Sequence, residues 1–176
     1  LESGVRSIRL TSCAGLVVSV LLACWLPGWI RDDPLRLALL THPAARLAGY
    51  MLGVPVAMEA DAAPLLLHPD FPLRVIPGCS GADFIGLLTG LLFWVSFRKR
   101  RPTVWLIPFL AWILAVLANG ARLAGLLLVE LLIAERLPVY LHNTLHAVTG
   151  VAIFLPVLVL TYVLWERKVC CERNPV

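Results

Sequence analysis

Charge is scarce in this chain: Asp, Glu, Lys and Arg make up 15% of its 176 residues, while 60% are hydrophobic. So little charge excludes a soluble globular domain, and a mean hydropathy of +0.86 marks an integral membrane protein. Length for a second soluble domain of ordinary size is also lacking, and the expectation is a single all-α domain, a polytopic membrane bundle of about four to six transmembrane or re-entrant helices. No disulfide framework is implied, because the five cysteines are an odd number, at 13, 24, 79, 170 and 171. The net charge of +4 carries no nucleic-acid signal. Its basic residues gather at Arg6 and Arg9, in RKRR (98–101), and at Arg167, Lys168 and Arg173, where they read as cytoplasmic anchors.

What the chain does have is a series of long apolar runs. Residues 10–30 form a first span whose amino end is cytoplasmic, and the Pro27, Trp29 and Arg31 that close it suit an anchor rather than a cleaved signal. Residues 35–57 are apolar but carry Arg36, His42, Pro43 and Arg46, so this segment is expected to be interfacial, re-entrant or spanning. Residues 58–78, broken by Pro64, Pro69 and Pro72, read as an extracytoplasmic loop with a short extended segment in LLLHPDFPLRVI. A span over 79–97 follows and ends in RKRR, which places Cys79 on the opposite side. The run 103–137 exceeds one bilayer crossing, so it either projects from the membrane or breaks near Gly120. The last span covers about 145–165 and ends at a cytoplasmic Arg167. Cys170 and Cys171 just beyond it read as unpaired thiols or a lipidation site.

Three places on these runs carry chemistry. Cys79 stands in a PGCSG turn at the start of a helix, within reach of water, where the helix dipole favours a thiolate. The N–H groups around Ser80 and Gly81 could there bind a developing oxyanion. Asn119 and Arg122, three apart, share a helical face, and an arginine in so apolar a stretch marks a site by default. His142 and His146 stand four apart, which fits a zinc pair joined by Cys79, but the Glu of HExxH is missing. His146, heading the last span, is therefore preferred as a base or imidazolium partner for Cys79, with His142 a surface histidine.

The order PGCSG, NGAR and HAVTGVAIF on successive membrane segments resembles the exosortase and archaeosortase family of membrane-embedded cysteine transpeptidases, in its short, single-module form. That family has a Cys in a C-[ST]-G-like turn, an N-x-x-R motif, and a His with a glycine four residues on. These fall here on Cys79, on Asn119 and Arg122, and on His146 with Gly150. The upstream LGVPV (52–56) is also similar to family members, and the resemblance covers roughly 45–160.

The resemblance implies an inner-membrane, multi-pass enzyme with its active site on the extracytoplasmic face. It would act on exported proteins whose C-terminal tripartite signal combines a PEP-type motif, a transmembrane helix and a basic tail. Cys79, Arg122 and His146 would be catalytic, with Asn119, Ser80 and Gly81 orienting. The lipid bilayer and the sorting signal are the expected partners, with no nucleic acid, metal or organic cofactor. Two other readings of the same residues stay open: a zinc-dependent membrane hydrolase using His142, His146 and Cys79, and a non-catalytic membrane helper or transporter.

Overall fold

A computed structural model describes residues 2–58, 63–99, 102–133 and 142–171, with side chains described at 13–58, 63–99, 104–132 and 144–167. Its five helices are α1 (Glu2–Arg31), α2 (Pro34–Leu52), α3 (Ala82–Arg98), α4 (Ile107–Ile133) and α5 (His142–Cys171). Between α2 and α3 lie three short strands, β1 (Val56–Met58), β2 (Pro64–Leu66) and β3 (Leu73–Arg74). The protein is thus a helical membrane bundle with a small sheet at one end.

Among the described residues, four segments are long and apolar enough to cross a bilayer: Cys13–Arg31, Pro77–Arg98, Val104–Leu132 and Thr144–Arg167. They differ in how much of each is covered by the others. The α3 span is 67% buried and the α5 span 11%, so α3 is the central post and α5 a peripheral helix facing lipid.

Glycine sets the closest helix contact. A Cβ at Gly90 would lie 2.6 Å from the Ser19 carbonyl oxygen, and one at Gly86 would lie 2.7 Å from Pro27. With the side chain absent at both positions, α1 lies backbone to backbone along α3, as small residues four apart permit in lipid. Phe97 meets Gly15 at one end of this pair and Asp83 bonds Arg31 at the other, so the two helices run antiparallel.

In α4 the chain continues unbroken through Gly120, contrary to one of the two expectations for that run. The glycine serves packing instead: a Cβ there would stand 2.7 Å from the Leu47 side chain of α2. Contact between α2 and α4 is sealed by Ala44, Ala45 and Ala48 against Leu123, Leu126 and Leu127, all buried. The Trp112 indole N–H donates to the Leu39 carbonyl at 3.0 Å, tying the same two helices together.

The loop reading of 58–78 captured one extended stretch where the chain makes an antiparallel meander in the order β1, β2, β3, with Val56 opposite Leu66 and Leu65 opposite Arg74. Strand alternation turns Leu73 and Val75 inward and Arg74 outward. The inward pair joins Leu66 in the α2–α4 core, and Val75 N–H donates to the Pro64 carbonyl at 2.9 Å. The sheet therefore fixes the chain four residues before Cys79.

Candidate active site

Cys79 closes a single 3₁₀ turn, Pro77–Cys79, that links the sheet to α3. Its N–H donates to the Ile76 carbonyl at 2.8 Å, and the Ser80 N–H donates to the Pro77 carbonyl at 3.2 Å. Gly81 then takes a left-handed conformation, φ +77°, as the N-cap of α3, a backbone state that suits glycine. The buried Ser80 hydroxyl accepts from the Ala82 N–H at 3.2 Å, capping the first turn.

These bonds correct two expectations. Of the turn amides expected to cradle an oxyanion, the Ser80 N–H is committed to the Pro77 carbonyl, and its neighbours at Cys79 and Ala82 are engaged as well. Cys79 is also mostly buried, at 6% exposure, rather than standing open on the turn, because it is tucked against the core formed by Leu73, Val75, Leu123 and Leu126. It precedes the first residue of α3 by three positions, so the helix dipole reaches it from below rather than from its own turn.

The three residues singled out by the motifs meet at this thiol. Arg122 Nη2 lies 3.9 Å from Cys79 Sγ, and His146 Nδ1 lies 3.9 Å from the same atom. They arrive from different helices, α4 and α5, on either side of the turn. Arg122 is buried at 8% exposure, and Phe154, stacked on Phe84, backs its guanidinium at 5.4 Å. Gly150, one turn beyond His146, is what admits the arginine: a Cβ at that position would approach Arg122 Nε to 3.1 Å. The glycine four residues after the histidine thus has a steric reason.

Asn119 lies one turn before Arg122 on α4, wholly buried, with its side chain 3.2 Å from where a Gly81 Cβ would be. Neither its amide nitrogen nor its carbonyl oxygen has a partner among the described residues, and the same is true of Arg122 Nε. Buried polar groups left unsatisfied in a protein interior are costly, and they are commonly completed by a ligand.

One site residue was missed by the sequence reading. Glu130, in the run LLLVELLI, is buried at 1% exposure and its Oε1 lies 3.9 Å from His146 Nε2. It follows Arg122 by eight positions on the same face of α4, and an acid in so apolar a run was the signal that could have found it. His142 begins α5, and its side chain lies outside the described residues. With it lies the histidine pair of the zinc reading. Among the described residues no group of three or more His, Cys, Asp or Glu side chains is placed to hold a metal ion.

A cleft of about 380 Å³ opens between α3 and α5 beside the thiol. Gly78, Gly81, Arg122 and His146 line its polar end, while Leu87, Val151, Leu155 and Leu158 continue it as an apolar seam. Leu87, Val151 and Leu155 are each more than half exposed, so the seam faces the lipid.

No curated protein and no solved structure matches this chain. The family model for transmembrane exosortases matches residues 2–163, nearly its full length. On that match, together with the Cys, Asn-x-x-Arg and His-x-x-x-Gly residues gathered at one site, the chain belongs to the transmembrane exosortase family.

Proposed function

We propose that the protein is a cysteine transpeptidase or protease that cleaves exported proteins at a C-terminal tripartite sorting signal, through a thioacyl intermediate on Cys79. The observation that carries this reading is the convergence on one sulfur of His146 and Arg122, each at 3.9 Å. A nucleophile, a base and a fixed cation in contact are the parts that acyl transfer needs.

In the first half-reaction His146 Nδ1 takes the thiol proton as Sγ bonds to the scissile carbonyl carbon. Negative charge moves to the carbonyl oxygen, where Arg122 stabilises it; with the N–H groups of Cys79, Ser80 and Ala82 engaged elsewhere, the arginine supplies the charge-assisted part of that stabilisation. The Asn119 amide is the nearby neutral donor and orients either the guanidinium or the substrate. Collapse breaks the C–N bond, His146 passes its proton to the leaving amine, and the acyl group stays on sulfur. An acceptor nucleophile or water then attacks, gives its proton to His146, and the expelled thiolate recovers it.

Substrate access follows from the seam. The substrate's own transmembrane helix slides in from the lipid against Leu87, Val151 and Leu155, which brings the peptide just outside that helix to Gly78 and Gly81. Glycine at both rim positions lets a backbone approach closely. Both α3 and α5 lead away from the site to basic ends, at RKRR and at Arg167–Lys168, so the site faces the extracytoplasmic side of the inner membrane.

Processing of a co-expressed substrate with a tripartite tail tests the reading. Cys79→Ala and His146→Ala abolish cleavage, while Cys13→Ala, Cys24→Ala and His142→Ala leave it intact. Cleavage that persists in Cys79→Ala overturns the mechanism. Labelling of Cys79 by a membrane-impermeant thiol reagent from the cytoplasmic side alone would invert the topology.

A further inference from the structure

We infer that Glu130 is the positioning residue of this site, holding His146 in the tautomer whose Nδ1 presents its lone pair to the thiol of Cys79. The inference rests on the thiol mechanism proposed above and adds to it a fourth residue, with a role separable from the other three.

The argument is one of geometry. His146 has its two ring nitrogens facing different partners: Nδ1 faces Cys79 Sγ and Nε2 faces Glu130 Oε1, each at 3.9 Å. A neutral imidazole carries one N–H, and the nitrogen that keeps it is decided by what the other side of the ring meets. A carboxylate only accepts, so paired with Glu130 in that form the proton sits on Nε2 and the lone pair on Nδ1, toward sulfur. At 3.9 Å the pair is an electrostatic contact, of the kind that shortens to a hydrogen bond when a catalytic site closes.

Placement supports the role. Among the described residues, the charged and titratable groups with a contact to His146 include Cys79 from the 3₁₀ turn and Glu130 from α4, with Arg122 of α4 on the same thiol. Asp83 of α3 also borders the cleft, but it is well exposed and engaged with Arg31. A carboxyl group 1% exposed in an apolar helix is costly to insert, so its position calls for a compensating function. Arg122 and Glu130 stand eight residues apart on one face of α4. One helix thereby presents a cation to the nucleophile and an acceptor to its base.

The test uses the full-length protein in detergent with Cys13, Cys24, Cys170 and Cys171 replaced by Ala, leaving Cys79 as the one thiol. In Glu130→Gln the side chain keeps its shape but can turn an amide N–H₂ toward Nε2, which favours the wrong tautomer. Processing is expected to fall in kcat by roughly 10²-fold, the low end of what a positioned acid–base group contributes, with KM little changed. The pH profile of Cys79 alkylation by iodoacetamide is expected to move to higher pH, and Glu130→Asp to recover part of both losses. In a His146→Ala background, Glu130→Gln is expected to slow alkylation no further.

An alkylation profile in folded Glu130→Gln that superimposes on that of the parent overturns the assignment, as does an equal further loss in the His146→Ala background. Should Glu130→Gln fail to fold, ¹⁵N chemical shifts of the parent decide: neutral His146 protonated at Nε2 supports the inference, and protonation at Nδ1 overturns it. The outcomes are distinguishable from failure of the cysteine mechanism, because the tautomer is read without any processing. Cleavage that survives Cys79→Ala removes the mechanism whatever the tautomer.

Discussion

The two ends of the bundle hold the same kinds of charged residue under opposite conditions. At the end away from the site, Arg98 of α3 bonds Glu166 of α5, with Lys99 3.8 Å away and all three side chains partly open to solvent. At the site end, Arg122 and Glu130 are buried at 8% and 1% exposure, and the cation's contacts are a thiol and an aromatic ring. Exposed ion pairs contribute little to stability, whereas an arginine in the middle of a membrane helix costs about 2.5 to 3.5 kcal/mol on insertion scales. The open pairs tie α3 to α5, and the basic residues among them set orientation. The buried charges do neither cheaply, which is why their placement against one thiol and its histidine points to chemistry.

The sharpest way to break this contrast is at Arg122. In the proposed mechanism Arg122→Ala removes the cation that meets the oxyanion, and processing is expected to fall by roughly 10²- to 10³-fold. Arg122→Lys keeps the charge but loses the planar fork and the packing on Phe154, so it should recover little of the loss. The check is the single-turnover rate of tail cleavage at saturating enzyme. Full activity in Arg122→Lys would mean that charge alone is needed and that the fork geometry is idle.

A smaller effect is expected one helix away. Gly150→Ala places a methyl group 3.1 Å from Arg122 Nε and pushes the guanidinium off the thiol. A displacement of this kind is expected to slow processing by about tenfold without unfolding the protein, since misplacement of an ångström is enough to degrade a positioned group. If the glycine acts only by admitting the arginine, Gly150→Ala adds nothing in an Arg122→Ala background. Independent losses would show instead that Gly150 shapes the cleft itself.

Much of the site was legible because lipid makes polar residues conspicuous. Arg122 and Asn119 stood out in an apolar run at helical spacing, and Cys79 and His146 headed the apolar runs that follow them. Glu130 obeys the same logic, as the one acid in the apolar run LAGLLLVELLI, although no motif marks it. The sheet was harder to read. Its strands are three, three and two residues long, with prolines at 55, 64 and 72, so they exist only through pairing and carry little alternation of their own. The burial of Cys79 and the use of its neighbouring N–H groups depend on closure of one 3₁₀ turn by the Ile76 and Pro77 carbonyls, a backbone event that residue types at that turn do not distinguish from an open loop.

The smallest effect belongs to the opposite end. Glu166→Gln removes the acidic partner of Arg98 and Lys99 but leaves the Trp165 indole bond to Ser96, at 3.0 Å, still joining α5 to α3. It leaves the basic run after α3 untouched, and acidic residues contribute little to membrane orientation. Processing and the sidedness of Cys79 labelling are therefore expected to match the parent, with only a slight fall in melting temperature that shrinks further at high salt. A loss of cleavage as large as that of Gly150→Ala would mean that the far end is coupled to the thiol through α5, along the line from Glu166 past Phe154 to His146. The division between an orienting end and a reacting end would then fail.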